Sequence, residues 1–360
     1  MKRTNLPKGK NRTKMTDVAE LAGVSVATVS RALAASGPVS AAARRRIEKA
    51  LQATGYTLNS VARSLRRQES RTIIVIVPDV GQPFFSIVLR GIEERAIAIG
   101  YSVLVGNSAD DVRREALYAE HVMAGRADGL ILINGRLPRF GSGAKPWLPP
   151  IVVVSERISG VNLPMVGVDN TAAAEMAVRH LLDLGHRRIA HIAGRRRNAL
   201  TAERCAGYRQ ALQSFGLVPV AELVSYGDYS IESGARAACA LLDLSRQPTA
   251  IFAANDDMAI GAMNEAKARG LRVPEDISMV GFDDVPFAAS YDPPLTTVRQ
   301  PFFDMGTAAM DTLYELLRGQ APAPHIRLLP TELMIRQTTA KPAPVTDSRR
   351  RIAPIIHGVR

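Results

Sequence analysis

The chain has 360 residues, which is too long for one typical domain, so two or three units are expected. With 46% hydrophobic and 22% charged residues, its composition is that of a soluble globular protein able to bury sizeable cores. Its net charge of +12 is uneven, because residues 1–70 hold 14 Lys and Arg against 4 Asp and Glu, while residues 341–360 hold 5 against 1. A basic head and a basic tail on a nearly neutral body indicate a polyanionic partner at the head.

Residues 1–14 are polar and basic and are interpreted as a flexible arm. No apolar segment follows this arm as it would in a signal peptide, and no run approaches the length of a membrane span. Cys205 and Cys239 lack the paired spacing of a zinc site, so we expect free thiols in a reducing compartment. Together these features predict a cytoplasmic protein without membrane contact, metal or cofactor.

Residues 15–33, MTDVAELAGVSVATVSRAL, predict two short helices joined by a sharp turn. Val18, Leu21 and Ala22 have the i, i+3, i+4 spacing of one helix face, and Ser25 is a preferred residue at the start of the second helix. This pattern is typical of a helix-turn-helix, whose second helix reads base edges. An ordinary helical hairpin is the plainer alternative, but the basic charge of the head favours DNA binding.

A third helix is predicted from Ser40, and a short polar segment with helical spacing follows at residues 59–67. An isolated helix of that length is marginal in water, so we expect it to form only when something holds it. An exposed Leu65 among arginines is what a minor-groove wedge needs. A plain charged linker is the alternative.

From residue 71 the pattern changes to alternating strands and helices. Strands are predicted at residues 73–77, 102–106, 129–133, 151–154, 188–192, 250–253 and 278–281. Helices are predicted at residues 85–99, 114–124, 171–184, 202–215, 231–242 and 258–269. This alternation predicts an α/β fold with parallel sheets, long enough for two lobes, in which ligands bind beyond the carboxyl ends of the strands.

Several motifs in series resemble those of the LacI/GalR family of bacterial transcription regulators: VAELAGVSVATVSRAL, NSVARSLR, FAANDDMAIGAM, VPEDISMVGFDD and PPLTTVRQP. The similarity runs from about Thr16 to Gln337 in family order, and within the family it is closest to the cytidine-repressor branch. The resemblance implies a multi-domain protein with an all-α helix-turn-helix head, a hinge helix, and a two-lobed α/β core similar to periplasmic binding proteins.

The implied domains follow the chain in order. They are a basic arm over residues 1–14, a DNA-binding head over 15–58, a hinge helix and linker over 59–71, an effector-binding core over 72–340, and a disordered basic tail over 341–360. In such a core the chain crosses between the lobes three times, and we place the crossings near Asp169, Val298 and Pro330. The N-lobe would then hold residues 72–168 and 299–329, and the C-lobe residues 169–297 and 330–340.

The resemblance also implies DNA contacts by motif position. Those in the recognition helix are Val26, Ala27 and Arg31 toward the bases and Ser25, Thr28 and Ser30 toward phosphates. Those in the hinge are Leu65 as the wedge, with Asn59, Ala62 and Arg63 beside it. Arg31 carries the sharpest prediction, because a guanidinium can bond guanine bidentately. A solvated surface charge would be the usual interpretation of an isolated arginine.

Effector contacts implied by the same motifs combine aromatic faces with groups that bond hydroxyls. They are Phe84, Phe85, Ser155, Arg204, Asn255 and Asp283. Asn255 could instead cap the helix that follows it, and Asp283 could be a turn residue. Ser155 stands where many family members carry Asp, which removes one hydroxyl-binding carboxylate. A nucleoside such as cytidine is the first choice of effector, followed by a sugar or sugar phosphate.

The sequence therefore predicts a repressor, and not an enzyme, that binds a pseudo-palindromic operator and is released by a small effector between the lobes. The tail lacks the leucine heptad of the family's tetramers, which favours a homodimer. A transport binding protein is an alternative, but it would carry an export signal. A nucleoside hydrolase or sugar kinase could use the acidic pairs Asp256–Asp257 and Asp283–Asp284, yet no phosphate loop, zinc spacing or activated nucleophile accompanies them.

Overall fold

A computed structural model describes residues 13–34, 37–56, 69–133, 135–140 and 148–343. The chain divides into two compact units, Met1–Gln68 and Glu69–Arg360, and each is described by itself. The predicted hinge contacts lie outside the described residues, and so do most of the arm and nearly all of the tail. Those hinge contacts are Asn59, Ala62, Arg63 and Leu65.

The first unit contains three helices, α1 (Met15–Ala22), α2 (Val26–Ala34) and α3 (Ala41–Thr54). Their shared core is built on Val18, Val29 and Ile47, which are fully buried or nearly so. Gly23 ends α1 in the left-handed conformation, with φ 61°, where a residue without Cβ is least strained. The predicted helix-turn-helix is confirmed.

The predicted apolar face of α1 is wrong in one residue, because Leu21 is 59% exposed. The buried residues of this helix are Val18, Ala19 and Ala22. At 100° per residue Leu21 lies roughly a third of a turn from the centre of that face. The i, i+3 spacing alone could not show on which side of Val18 the partner helices pack.

The second unit contains two six-stranded sheets. The first sheet has the order β11-β5-β4-β3-β1-β2 and is parallel throughout. Its strands are β1 (Thr72–Val77), β2 (Ser102–Asn107), β3 (Gly129–Leu132), β4 (Ile151–Val154), β5 (Met165–Val168) and β11 (Ile326–Leu329). The helices of this lobe, which we call the N-lobe, are α4 (Pro83–Ala98), α5 (Val112–Met123) and α11 (Phe302–Leu317).

The second sheet has the order β12-β10-β9-β8-β6-β7, and only β12 runs antiparallel to its neighbour. Its strands are β6 (Ile189–Ala193), β7 (Val224–Tyr226), β8 (Ala250–Ala253), β9 (Ser278–Asp283), β10 (Thr296–Arg299) and β12 (Glu332–Met334). The helices of this C-lobe are α6 (Asn170–Asp183), α7 (Ala199–Ser214), α8 (Ile231–Leu242), α9 (Asp256–Ala268) and α10 (Pro286–Ser290). Within the described residues the chain passes between the sheets after β5, after β10 and after β11.

Each sheet is covered by helices that approach closely at glycines. A Cβ added to Gly91 of α4 would lie 2.1 Å from the carbonyl oxygen of Phe303 in α11. The same distance separates a Cβ added to Gly207 of α7 from the carbonyl oxygen of Thr171 in α6. Because the helices of each pair pack backbone against backbone at these glycines, they hold the strand ends of each lobe in fixed positions.

The predicted α/β fold with parallel sheets is confirmed, and every predicted strand and helix of the core is present within a few residues. The sequence pattern predicts no strand at β5, β7, β10, β11 or β12, and no helix at α10 or α11. Those five strands have three or four residues each and contain Gly, Thr, Ser or charged residues. Such segments lack the continuous apolar run that identifies a buried strand.

The described residues contain no helix that is both long and apolar enough to cross a membrane. In the same part of the chain no group of three or more His, Cys, Asp or Glu is placed to hold a metal ion. Cys205 and Cys239 are both free thiols, as the sequence predicts.

Candidate effector cleft and DNA-reading helix

A cavity of about 540 Å³ lies at the carboxyl ends of strands from both sheets. The six predicted effector residues all line it: Phe84, Phe85, Ser155, Arg204, Asn255 and Asp283. The first three belong to the N-lobe and the last three to the C-lobe. Convergence of loops at the carboxyl ends of parallel strands explains why residues so distant in sequence meet here.

The N-lobe wall is aromatic. The rings of Phe84 and Phe85 at the start of α4 meet edge to face with centroids 4.8 Å apart, and Phe84 meets Phe302 in the same way at 4.9 Å. Phe85 is buried in the lobe core, whereas Phe84 is only partly buried. Because neighbouring rings fix both side chains, they form a rigid apolar surface against which a ligand ring can pack.

Ser155 follows β4 with φ 74°, in the left-handed region that non-glycine residues seldom adopt. Its side chain is buried and lines the cavity. The turn carries the chain out of the strand so that two consecutive polar residues, Ser155 and Glu156, both face the cavity.

Arg204 of α7 is buried and held by partners on three sides. Its Nε donates to Asn170 Oδ1 at 3.0 Å, and its Nη1 donates to the carbonyl oxygen of Ala254. The guanidinium lies 3.7 Å from the centroid of the Phe282 ring. Its Nη1 is also 3.9 Å from Asp283 Oδ1, so a buried cation and a carboxylate share this wall.

Asp283 ends β9 with φ 120° and accepts a hydrogen bond from Gln300 Nε2 at 2.7 Å. Burial raises the pKa of Asp283 to about 6, while the positive charge of Arg204 acts in the opposite direction. Asp256 lies behind it, accepting hydrogen bonds from Thr297 Oγ1 at 2.5 Å and from the backbone N–H of Val285 at 2.9 Å. The pKa of Asp256 is raised by burial and by the charge of Asp283.

Asn255 caps α9, since its Oδ1 accepts the backbone N–H of Met258 at 3.0 Å. The sequence also suggested that Asn255 caps this helix, and that capping role is confirmed. Its Nδ2 donates to the carbonyl oxygen of Tyr229 at 3.0 Å, and the residue still lines the cavity. Effector contact by Asn255 stays a prediction.

The cavity has further polar lining residues that the sequence analysis did not identify. They are Asp79, Gln82, Asn107, Asp110, Glu156, Arg195, Asn198, Asp228, Tyr229 and Gln300. Asn107 follows the strand predicted at residues 102–106, so a position at a strand's carboxyl end was a usable signal for it. Asp228 and Tyr229 follow β7, and Gln300 follows β10. Because neither strand is predicted from the sequence, these three residues carried no such signal.

Two buried amide oxygens of the cavity wall, Asn107 Oδ1 and Gln300 Oε1, have no hydrogen-bond partner among the described residues. A buried acceptor without a donor costs about 1–3 kcal/mol. Among the described lining residues, five carboxylates face two guanidinium groups. The cavity wall therefore carries an excess of negative charge.

The recognition helix α2 presents the predicted base-reading side chains to solvent. Val26 is 42% exposed, and Ala27 and Arg31 are exposed as well. Ser25 Oγ accepts the backbone N–H of Thr28 at 3.2 Å, which caps the helix. Of the predicted phosphate contacts, Ser25 is exposed, and Thr28 and Ser30 are half-buried. Their contacts with DNA stay predictions.

Comparison with known proteins gives two family matches. Residues 14–59 match the model of the bacterial regulatory proteins of the lacI family. Residues 178–339 match a periplasmic binding protein-like domain. The chain is 43% identical over 326 residues to the HTH-type transcriptional repressor CytR of Escherichia coli strain K12, covering 90% of this chain and 96% of that relative.

Two solved structures are similar over nearly the whole chain. The lac repressor dimer bound to operator and the anti-inducer ONPF has a TM-score of 0.81 and 31% identity, covering 92% of this chain and 100% of that one. The transcriptional regulator CelR in complex with cellobiose has a TM-score of 0.68 and 30% identity, covering 91% and 100%. The chain thus shares the fold of proteins that regulate transcription.

We expect the stability of the wild type relative to an Asp283→Asn variant to fall by about 1 kcal/mol between about pH 5 and about pH 7. The pKa of Asp283 is raised to about 6, so in this range the folded protein binds a proton that the unfolded chain has already released. Where the native state binds more protons, stability decreases as the pH rises. Urea unfolding of both proteins at the two pH values measures the difference, and a constant difference would contradict the assignment.

Proposed function

The chain belongs to the lacI family of bacterial regulatory proteins, and we propose that it represses transcription as a homodimer on a pseudo-palindromic operator and leaves DNA when an effector fills the cleft. The observation that carries the effector part is a cavity that Phe84 and Ser155 line from one lobe and Arg204 and Asp283 from the other. Its partners are operator DNA, a small molecule and a second copy of the chain. Since its target is DNA, we place the protein in the cytoplasm.

Sequence reading by α2 rests on few polar groups. Val26 and Ala27 offer apolar contact, as with a thymine methyl, whereas the exposed Arg31 can bond guanine bidentately. Much of the remaining selectivity is expected to come from deformation of the DNA, with Leu65 of the hinge as the wedge at the central minor groove.

The effector that we favour is a nucleoside such as cytidine, with a neutral sugar as the second candidate. A cavity of about 540 Å³ suits a molecule of that size. The rigid rings of Phe84 and Phe85 suit a planar base, and the carboxylates of the wall suit hydroxyl and amino groups. Because carboxylates outnumber guanidinium groups in the wall, a phosphorylated ligand is disfavoured. Catalysis forms no part of the proposal.

Release from the operator requires that effector and DNA prefer different lobe arrangements. The effector contacts both lobes, so it favours the arrangement that brings both walls to it. By linkage, the factor by which effector weakens operator binding equals the factor by which operator weakens effector binding.

A homodimer is supported by an exposed apolar surface on the N-lobe. β2 is an edge strand among the described strands, and Leu104 and Val105 on it are exposed. The helices α4 and α5 add Ile97, Val112, Leu117 and Met123, so that the six side chains are between 44% and 66% exposed. An exposed apolar edge of this kind needs a covering partner, and a second copy related by a two-fold axis matches the symmetry of a palindromic site.

Arg31→Ala is expected to weaken binding to the specific operator by about 1–3 kcal/mol and to relax the preference at one base pair, because the bidentate bond is lost. Selection of binding sites from a random DNA pool measures both effects. Arg45→Ala removes the same charge from the exposed side of α3 and should leave base preference unchanged. An unchanged preference in Arg31→Ala would refute the role of this residue.

Cytidine is expected to stabilise the protein and to release it from the operator, whereas cytidine 5′-monophosphate should do neither at equal concentration. At a hundredfold excess over its Kd a ligand stabilises the folded state by about 2.7 kcal/mol. Thermal unfolding and operator gel shifts with cytidine, its monophosphate, ribose and cellobiose distinguish the candidates. A response to sugars alone favours the second candidate, and recovery of a chemically altered ligand would contradict a purely regulatory role.

Leu104→Lys is expected to convert the dimer to monomers at micromolar concentration and to weaken operator binding more than tenfold, since one head then reads one half-site. Light scattering after size exclusion measures the mass. Val218→Lys places the same charge at a more exposed apolar residue of a C-lobe loop and should leave the mass unchanged. A dimeric Leu104→Lys protein would show that this edge is not the interface.

A further inference from the structure

The two lobes are joined at the cleft by side-chain contacts that need no ligand. Glu156, directly after β4 in the N-lobe, reaches the start of α7 in the C-lobe. Its Oε1 accepts the backbone N–H of Ala199 at 3.1 Å, and its Oε2 accepts Asn198 Nδ2 at 3.0 Å. A second contact joins Asp110 Oδ2 to Arg195 Nη1 at 3.0 Å.

The two contacts differ in how strongly they hold the lobes together. Arg195 and Asp110 are 58% and 47% exposed, and exposed ion pairs contribute little. Glu156 is half-buried, and its carboxylate satisfies an N–H of the first turn of α7, where negative charge is favoured by the helix dipole. Burial raises the pKa of Glu156, and the hydrogen bonds from Ala199 and Asn198 oppose that effect.

The carboxylate of Glu156 is also held from its own lobe. A Cβ added to Gly135, in the loop after β3, would lie 2.4 Å from Glu156 Oε2, and Gly135 has φ +63°. This loop therefore packs directly on the carboxylate. Because the side chain lies between the loop and α7, it transmits the position of one lobe to the other.

Asn198 connects this bridge to the cavity wall. Its Oδ1 accepts the backbone N–H of Thr201 at 3.2 Å and the hydroxyl of Tyr229 at 3.3 Å. Tyr229 and Thr201 also hydrogen-bond each other through their hydroxyls at 3.0 Å. Tyr229 lines the cavity, and α7 itself carries Arg204. A ligand on this wall therefore touches groups that are bonded, through Asn198, to Glu156.

We propose that Glu156 is a positioning residue that holds the two lobes in the arrangement able to bind effector, by accepting hydrogen bonds from the start of α7. This inference rests on the proposed function, because it assumes that the cleft takes an effector. The bridge and the effector stabilise the same lobe arrangement, so each strengthens the other. Loss of the bridge weakens effector binding and leaves more operator bound at a given effector concentration.

Glu156→Gln tests the bridge without changing side-chain size. A glutamine places an acceptor at only one of the two carboxylate oxygen positions, so its amide nitrogen would face either the N–H of Ala199 or the Nδ2 of Asn198, donor against donor. The double variant Glu156→Gln, Asn198→Asp restores the pairing with reversed polarity, because the glutamine amide then donates to the new carboxylate while its oxygen accepts from Ala199. Aspartate also keeps the capping role of residue 198.

The first measurement uses the full chain without ligand. Amide hydrogen exchange at the first turn of α7 is expected to be about tenfold faster in Glu156→Gln and to return toward the wild-type rate in the double variant. The first turn of α8, where Ser233 N–H is bonded to Ser230 Oγ, is the internal control and should not change. Unchanged exchange at α7 in Glu156→Gln, or no recovery in the double variant, would overturn the proposal.

The second measurement uses cytidine as the probe and operator release as the signal. The concentration for half-release is expected to rise about tenfold in Glu156→Gln and to recover in the double variant. It should change less than twofold in Glu222→Gln, which removes an exposed ion pair with Arg188 away from the cavity. If neither cytidine nor a sugar releases the wild type, the proposed effector function fails while the exchange result still decides whether Glu156 bridges the lobes. Altered exchange with an unshifted half-release would overturn the coupling to effector.

Discussion

The buried guanidinium of Arg204 is the constraint on which the C-lobe wall of the cleft depends. A charge removed from water needs hydrogen bonds and an opposite charge, and Arg204 obtains them from Asn170, Ala254 and Asp283. These partners belong to α6, to the end of β8 and to the end of β9. One side chain thereby fixes the relative positions of three strand-end segments, and the glycine contact between α6 and α7 allows it to reach them.

The need of a buried charge for hydrogen bonds or an opposite charge also explains the contacts of the acidic residues behind the cleft wall. Asp256 is buried and satisfied by Thr297 and Val285, so it supports the frame and does not face the ligand. Asp284, directly after β9, forms ion pairs with Arg299 at the end of β10 and with Arg336 after β12. Of the four acids that could suggest catalysis, Asp256 and Asp284 are engaged in structural bonds. Asp283 lines the cavity, where its carboxylate can accept hydrogen bonds.

The sequence predicts those parts of this fold that are locally encoded. β1, β4 and β8 are short continuous apolar runs, and α8 has an amphipathic period that defines both of its ends. β5 and β10, with the sequences MVGV and TTVR, become strands only because neighbouring strands pair with them, which no local pattern records. The exposure of Leu21 likewise depends on where α2 and α3 pack. In the cleft, the family motifs indicated six lining residues, whereas Gln300 and Asn198 are brought there by the passage between lobes and by a loop.

The two consecutive polar residues after β4, Ser155 and Glu156, have different tasks in the cleft. The left-handed conformation of Ser155 turns the chain so that its small hydroxyl faces the cavity, while the carboxylate one position later reaches the start of α7. The charge of Glu156 is thus bonded to the other lobe instead of being free for a ligand hydroxyl. A small hydroxyl toward the cavity and a lobe-to-lobe bond are therefore two consequences of the same pair of residues.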